Sequence, residues 1–346
     1  MRPEPSTTPS ASPFAGLPRR GALLLALCGG LLLAAPAVVD AYLLSVLTLV
    51  LWLAYTGQAW NVMMGFAGQL SLGHTLYVGL AAYASGVLFV YFGIGPWLGV
   101  WLAIVIAALA GGCIGALGFR FGIKGVYFAL LTIAFAEFTR IAFDHFGWVG
   151  GSAGFFLPVA QRTSNDLLDL RGTPVMFYYV ILALTAAALL LCRALLKSRL
   201  GYYWLAIRED QEAAQAVGID VFRYKLIAVV ISAALTAPAG VFYAFFYNNM
   251  YPEQIFAISR SIEIILGAIV GGIGTLFGPI LGAFILTPLG ELVTAGIEQA
   301  GIDVPGAKQL VYGGLMVLIV VFLPDGIWPW LARRLRLDGR DGEPRS

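Results

Sequence analysis

Apolar residues form long, uninterrupted blocks along this chain. Between Ala41 and Phe119 the sequence contains no Asp, Glu, Lys or Arg. A helix needs about 20 mainly apolar residues to cross the hydrocarbon core of a bilayer, so this stretch alone predicts three spans separated by turns that contain Gly and Pro. Transmembrane β-strands alternate apolar and polar positions over about 10 residues, whereas these blocks are continuous and rich in Leu and Ala.

The blocks predict an all-α, polytopic transmembrane protein with about ten spans, within a range of eight to ten. The eighth candidate is short enough to be re-entrant, and a count of eight spans with two re-entrant pieces gives the same sidedness. The candidate spans are 21–39, 41–64, 72–92, 97–118, 124–143, 174–196, 224–247, 258–272, 275–296 and 308–323.

The loops between the spans indicate the orientation, because excess Lys and Arg marks the cytoplasmic side of a membrane. With ten spans and a cytoplasmic N-terminus, every basic loop falls on the cytoplasmic face, as does the C-terminus. The segment 144–173 then lies outside. The basic residues are Arg120, Lys124, Arg193, Lys197, Arg199, Arg208, Arg223, Lys225, Arg333, Arg334 and Arg336.

Composition sets the limits of the membrane domain and excludes several function classes. The chain is 60% hydrophobic and 12% charged, against about 25% charged in a soluble domain. The composition predicts a disordered tail at residues 1–18, a membrane domain at 19–332 and a cytoplasmic tail at 333–346. The small residues at 34–37, near the end of the first apolar block, also fit a secretory signal. A net charge of +2 without a clustered basic face argues against nucleic-acid binding.

The loop 197–223 is the longest basic interruption. It contains Arg208, Glu209, Asp210 and Glu212 before an Ala-rich, helix-favouring run that includes Ala213 and Ala214. Acidic residues favour a helix start, and Gly218 is a natural stop. The pattern predicts a short amphipathic helix on the cytoplasmic face, which a partner with a groove can bind. An ordinary solvated helix fits the same pattern.

Glycines predict close helix contacts near the C-terminal spans. Gly274, Gly278 and Gly282 recur at every fourth position and are predicted to share one helix face, as are Gly267 and Gly271. Small residues at this spacing let helices approach closely in lipid. The run from Gly271 and Gly272 to Gly278 and Pro279 also predicts a cytoplasmic turn between two spans.

Polar side chains inside the spans are candidates for the pathway lining or for structural roles, because ionisable groups are costly at membrane depth. The i, i+3 spacing of Glu137 and Arg140 predicts an ion pair near the outer membrane surface. The alternative is that both side chains face the external mouth of the pathway. Glu263 is expected at the outer interface. Glu137 and Glu263 are the acidic residues that we assign to apolar runs, and both look off-centre.

A second polar set brackets the turn between the second and third predicted spans: Asn61, Gln69, Ser71 and His74. Gln69 and Ser71 fit either a place along the pathway or a helix cap. A lone His is more often a hydrogen-bonded structural group than a proton relay. No metal site is expected, because no second His or Cys stands at ligand spacing. Nor does any catalytic constellation point to an enzyme.

Five segments, in order along residues 60–325, resemble LivM-type permeases of branched-chain amino acid importers. They are 68–74 (GQLSLGH), 208–210 (RED) followed by Glu212-Ala213-Ala214, 223–226 (RYKL), 261–263 (SIE) and 271–279 (GGIGTLFGP). Glu212-Ala213-Ala214 with Gly218 resembles the "EAA" signature of permease subunits in bacterial ATP-binding-cassette importers.

The resemblance implies a type II importer-like permease fold in the bacterial inner membrane, with segment 144–173 as a periplasmic loop. It implies four partners: a LivH-type permease, two cytoplasmic ATPase subunits and a periplasmic solute-binding protein. The EAA segment would be the coupling helix, seated on an ATPase. The chain contains no G-x-x-x-x-G-K-[ST] loop. ATP and Mg²⁺ would therefore be bound by the partners, and this chain would carry no cofactor of its own.

Two other interpretations stay open from the residues. The first is an importer for urea or short amides, whose permeases are similar. The second is a secondary transporter driven by an ion gradient, which predicts broken helices and a carboxylate at the midplane. Co-purification with ATPase subunits distinguishes an importer from the second interpretation.

Overall fold

A computed structural model describes residues 19–158, 165–299 and 306–335 of the chain. Most of the predicted N-terminal and C-terminal tails, residues 1–18 and 336–346, therefore lies outside the described residues. So does part of the predicted external loop, residues 159–164.

The described residues are almost entirely helical. The long helices are α1 (Arg19–Val38), α2 (Ala41–Asn61), α3 (Thr75–Phe92), α4 (Pro96–Arg120), α5 (Val126–His145) and α6 (Pro174–Lys197), then, after two short helices, α9 (Val221–Tyr247), α11 (Ile258–Gly271), α12 (Gly278–Gln299) and α13 (Ala307–Phe322). The short ones are α7 (Arg199–Glu209), α8 (Gln211–Ala216), α10 (Pro252–Ile255) and α14 (Ile327–Arg334). A π-helical turn, Val62–Phe66, continues α2, and strands β1 (Phe155–Phe156) and β2 (Asn249–Met250) pair antiparallel.

Eight helical segments are long and apolar enough to cross a membrane, and they correspond to the second to ninth predicted spans. Two shorter apolar helices, Leu23–Val38 and Gln309–Ile319, match the first and tenth. The eighth predicted span, which looked short, is extended by α10 to the 20 residues Pro252–Gly271. The third span, predicted approximately at 72–92, begins at Thr75 in the structure and ends at Phe92.

Local sequence explains where several helices begin and end. Asp40 caps α2 by accepting a hydrogen bond from the Leu43 amide at 2.8 Å. Gly93 ends α3 in the left-handed conformation, with φ at 64°. Pro96 then starts α4 at a position where its missing N–H costs nothing. These signals allow α3 and α4 to reverse direction within three residues.

Helices α2 and α9 form the centre of the bundle. Helix α9 packs on α2, α3, α4 and α6, and α2 also packs on α11 and α12. The Trp52 indole donates to the Ala239 carbonyl at 2.9 Å, and the Tyr55 hydroxyl to the Leu235 carbonyl at 2.6 Å. Both carbonyls belong to α9. The two hydrogen bonds therefore fix the position of α2 along the axis of α9.

The two ends of the bundle differ in chemistry. One end, called the basic end below, carries Arg120, Lys124, the α6–α9 connection with Arg208, and α14 with Arg333. The other, called the strand end, carries β1, β2 and the segment with Arg171. All basic loops among the described residues therefore gather at one end, as the distribution of Lys and Arg predicted.

Candidate functional site

The predicted short helix in the α6–α9 connection is α8, and both its ends have sequence-encoded caps. The Asp210 carboxylate accepts from the amides of Glu212 and Ala213 at 2.9 and 3.0 Å. Gly218 adopts φ 90°, its amide donates to Gln215, and the Ile219 amide donates back to Ala214 at 3.1 Å. This bonding pattern is a Schellman stop, so the predicted termination at Gly218 is confirmed.

Helix α8 turns one face to its own chain and the other outward. Ala214 is buried in a cluster with Ile207 and Val221. Glu212 and Ala213 are exposed, as are Glu209 and Asp210 just before the helix. The segment therefore presents an acidic, small-residue surface at the basic end while Ala214 anchors it.

Two hydrogen bonds hold α7 and α8 to α9. The Lys225 ammonium of α9 donates to the Gln211 side-chain oxygen of α8 at 2.5 Å and lies 5.6 Å from the centre of the Phe119 ring at the end of α4. The Trp204 indole of α7 donates to the Tyr224 carbonyl at 2.9 Å. A displacement of α8 would therefore act directly on α9, and through Lys225 on α4.

Arg208 extends this connection to α2. Its guanidinium donates to the carbonyl oxygen of Gly65, inside the π-helical turn, and lies against Gly274. π-Helical turns are rare and occur frequently at functional sites. Arg208 thus joins the end of α7 to the end of α2 and to the turn between α11 and α12.

Amide side chains of α2 hold the turn between α11 and α12. Asn61 accepts from the Gly274 amide at 2.8 Å and donates to the Thr275 carbonyl at 2.9 Å. Gln58 donates to the Leu276 carbonyl. These hydrogen bonds couple the turn to α2, because three of its backbone groups are paired with α2 side chains.

The glycines of this turn have distinct roles. Gly271 ends α11, Gly272 and Gly274 have φ of 124° and 77°, and α12 begins at Gly278. The prediction that Gly274 shares a helix face with Gly278 and Gly282 was wrong, because Gly274 lies in the turn. Gly271, Gly278 and Gly282 do lie at the contact between α11 and α12, where added methyl groups would overlap backbone atoms. The predicted close approach is confirmed for these three.

Residues 67–74 form a non-helical segment between the π-helical turn and α3, and hydrogen bonds with α2 and α5 hold it. Ser71 is fully buried, and its carbonyl accepts from the Trp60 indole at 2.8 Å. The Leu72 amide donates to the Thr132 hydroxyl at 3.0 Å. Gln69 donates to the nearby Ala67 carbonyl at 2.8 Å. Irregular backbone at membrane depth is tolerated only where protein or a cavity surrounds it, and here protein does.

His74 ends this segment near the middle of the bundle. Its Nε2 lies 2.7 Å from the Thr236 hydroxyl. Thr236 is 15 residues after the start of α9 and 11 before its end, which is about 22 and 16 Å along the helix axis. Next to it, the Thr75 hydroxyl lies 2.9 Å from that of Ser261. His74 is thus hydrogen-bonded and fully buried, which suits a structural role.

The ion pair predicted for Glu137 and Arg140 forms, and it includes a third residue. The Arg140 guanidinium lies 2.6 Å from Glu137 and 2.6 Å from Asp144 on the same helix. The group lies in the second half of α5, toward the strand end. Arg140 is therefore held tightly by two carboxylates, an arrangement typical of a structural pair.

A second ionic group lies on α11. Arg260 is 3.4 Å from Glu263. Arg260 lies beside Thr48 and Leu49, in the first half of α2, and beside Tyr247, the last residue of α9. The position expected for Glu263, at the outer interface, stays a prediction. Arg260, Glu263 and Glu291 of α12 all lie within electrostatic range of Tyr312 of α13.

The sequence contained signals for two residues of this group that were not predicted. Arg260 stands three residues before Glu263, the spacing that identified Glu137 and Arg140. Glu291 lies inside the ninth predicted span, so the acidic residues in apolar runs number more than Glu137 and Glu263.

At the strand end, the buried side chain of Arg171 contacts the ends of α3 and α9. The Arg171 guanidinium donates to the Asn248 side chain at 2.6 Å and lies 4.9 Å from the centre of the Phe89 ring. Burial lowers the pKa of Arg171, and Asp169 opposes that shift. Arg171 thereby ties the segment before α6 to the end of α9.

Comparison with known proteins is consistent with this architecture. The family model described as "Branched-chain amino acid transport system / permease component" matches residues 42–320. No solved structure matches the chain significantly.

The LivM relatives cover most of the chain, and the LivH relative covers part of it. The chain is 30% identical, over 87% of its length and 73% of the relative's, to the high-affinity branched-chain amino acid transport system permease protein LivM of Escherichia coli. It is 25% identical to the probable LivM permease of Methanocaldococcus jannaschii, over 78% of this chain and 88% of that protein. It is also 31% identical to the LivH permease of Escherichia coli, over 38% of this chain and 40% of that protein.

Proposed function

Because the chain belongs to the permease components of branched-chain amino acid transport systems, we propose that it forms one half of the pathway by which an ATP-driven importer carries branched-chain amino acids. The single observation that carries the mechanism is α8. An exposed acidic and small-residue helix lies at the basic end, where Lys225 ties it to α9 and the preceding Arg208 of α7 contacts the π-helical turn of α2.

Helix α8 is the coupling helix in this proposal. An ATPase subunit grips its exposed face at Glu212 and Ala213, and ATP-driven closure of the ATPases displaces it. Ala214 and Gln211 pass the motion to α9, and Arg208 passes it to the π-helical turn of α2. Asn61 carries it on to the turn between α11 and α12. Four helices of the pathway half therefore respond to one surface segment.

The partners follow from the two ends. The positive-inside rule supports a cytoplasmic position for the basic end in the bacterial inner membrane, where two ATPase subunits bind. The strand end then faces the periplasm and receives a solute-binding protein. A LivH-type permease supplies the other half of the pathway, since the chain resembles both LivM and LivH permeases. ATP and Mg²⁺ bind to the ATPase subunits.

The test is reconstitution of the complete importer in lipid nanodiscs. We expect the chain to co-purify with ATPase subunits, and a leucine-loaded binding protein to stimulate ATP hydrolysis above the level with the empty binding protein. Stimulation by a urea-loaded or amide-loaded binding protein instead would change the substrate class. Solute uptake driven by an ion gradient without nucleotide would refute the importer mechanism.

A further inference from the structure

Helix α14 lies at the level where the spans of the basic end begin and finish. It starts five residues after the end of α13. A methyl group added to Gly326, just before α14, would overlap the Cα of Gly272, and one added to Gly272 would meet the Pro329 ring. Gly272 itself lies in the turn between the spans Pro252–Gly271 and Gly278–Gly296. Because α14 packs on a turn between two spans, it lies at the membrane interface.

The inner face of α14 is held against this turn by apolar side chains. The Trp328 ring packs on the Phe277 ring, with centroids 4.8 Å apart. Ala332, one helical turn after Trp328, is buried. Because these contacts fix the rotation of α14 about its own axis, they also determine which side chains the helix presents outward.

The outer face of α14 combines one exposed tryptophan with two exposed arginines. Trp330 is 41% exposed, and Arg333 and Arg334 follow at the i+3 and i+4 positions, so the three side chains are neighbours. The Arg334 guanidinium lies 5.4 Å from the centre of the Trp330 ring. Arg333 donates from Nε to the Pro329 carbonyl at 3.2 Å and lies 3.7 Å from Asp325, in an exposed pair of the kind that contributes little. Since a guanidinium has five N–H groups, both arginines keep donors for a ligand.

The charge of this face separates α14 from α8, the other surface helix at the basic end. The exposed surface at α8 carries the carboxylates of Glu209, Asp210 and Glu212. A partner that complements those carboxylates does not complement two arginines and a tryptophan. Tryptophan is enriched at the level of lipid headgroups, and the planar guanidinium matches a phosphate in a two-bond geometry. Anionic lipids attract basic segments that lie beside a membrane.

We propose that the outer face of α14 binds the headgroup of an anionic phospholipid. Arg333 and Arg334 donate to the phosphate oxygens, and the Trp330 ring lies among the headgroups. The bound lipid then supports, through the inner face of α14, the turn between α11 and α12 that Asn61 also holds. This inference goes beyond the proposed function and does not depend on which solute is carried.

The test titrates the purified full-length chain in detergent with phosphatidylglycerol and follows the first bound lipid by native mass spectrometry. Arg334→Gln should raise the half-saturating lipid concentration about fivefold, and Arg333→Gln/Arg334→Gln about 25-fold, from the contribution of each basic residue at an anionic membrane surface. Arg199→Gln is the matched control. It removes one exposed arginine from α7 at the same end, and it should stay within about twofold of wild type. Phosphatidylcholine, which has the phosphate but no net charge, should bind more weakly to the wild-type chain.

Three outcomes would overturn the proposal. One is equal affinity for phosphatidylglycerol in the wild type and in Arg333→Gln/Arg334→Gln. Another is an equal loss of affinity in Arg199→Gln and Arg334→Gln, because the attraction would then come from the overall charge of the basic end. The third is a double variant that keeps its lipid but no longer co-purifies with ATPase subunits, which would assign the outer face of α14 to a protein partner. The substituted side chains are exposed, so the variants should fold as the wild type does.

Discussion

Replacing Gly282 with alanine should loosen the contact between α11 and α12. A methyl group at this position would overlap the carbonyl oxygen of Gly267 and lie 2.9 Å from the Gly271 amide nitrogen. Backbone atoms cannot rotate away as a side chain does. The two helices must therefore separate by more than about 1 Å, and a gap of this size forfeits up to half of the dispersion energy of each contact that it opens.

The expected magnitude follows from this overlap. Overpacking in a well-packed contact costs about 1–3 kcal/mol. At about 2–4 °C for each kcal/mol, the apparent melting temperature in detergent should fall by about 2–12 °C. Thermal unfolding followed by size-exclusion chromatography of a fluorescent fusion measures this shift.

Gly267 provides a control on the facing helix. A methyl group there would lie 3.7 Å from its nearest neighbour, the Ala283 nitrogen, which is an ordinary contact. Gly267→Ala should therefore melt within about 2 °C of wild type, the lower bound of the shift expected for Gly282. Equal melting temperatures for Gly282→Ala and Gly267→Ala would refute the close backbone contact on which the argument depends.

Three further predictions address the coupling route and the centre of the bundle. Glu212→Lys should abolish ATP-driven uptake while the amount of the protein in the membrane, measured by immunoblot, stays unchanged. Glu212→Asp is the control and should retain uptake. Transport by the lysine variant would contradict the coupling assignment. Arg208→Ala should leave ATP hydrolysis active but lower the leucine moved per ATP, because the bond from α7 to Gly65 is lost, and an unchanged ratio would exclude this route. Thr236→Val should cost about 1–3 kcal/mol of stability, since it removes the hydrogen bond to buried His74. Thr56→Val is its control, because the Thr56 hydroxyl bonds only to carbonyls of its own helix, and equal thermal shifts for the two variants would argue against a structural role for His74.

Local patterns were enough to predict the helical architecture. Each of the ten predicted spans corresponds to an apolar helix, because apolar blocks of about 20 residues have no other stable conformation in a bilayer. The caps of α8 were equally predictable, since Asp210 and Gly218 act on amides within a few residues of themselves. The ion pair of Glu137 and Arg140 is likewise a property of one helix turn.

Positions that depend on packing were not predictable. Gly274 was assigned to a helix face by its spacing, but Asn61, more than 200 residues earlier in the chain, holds it in a turn. The eighth predicted span looked short, yet α10 precedes α11 and extends the apolar segment to Pro252–Gly271. Spacing along one helix carries no information about the depth at which another helix meets it.

The sequence by itself determined that this chain spans a membrane repeatedly, which loops are basic, and where a short capped helix interrupts the spans. Only the tertiary structure decided that Arg208 reaches the π-helical turn of α2, that His74 meets Thr236, and that Arg260 lies beside Thr48 of α2. The physical reason is range. Hydrophobic periodicity and capping act within a few residues, whereas these contacts join side chains that become neighbours only after the helices have packed.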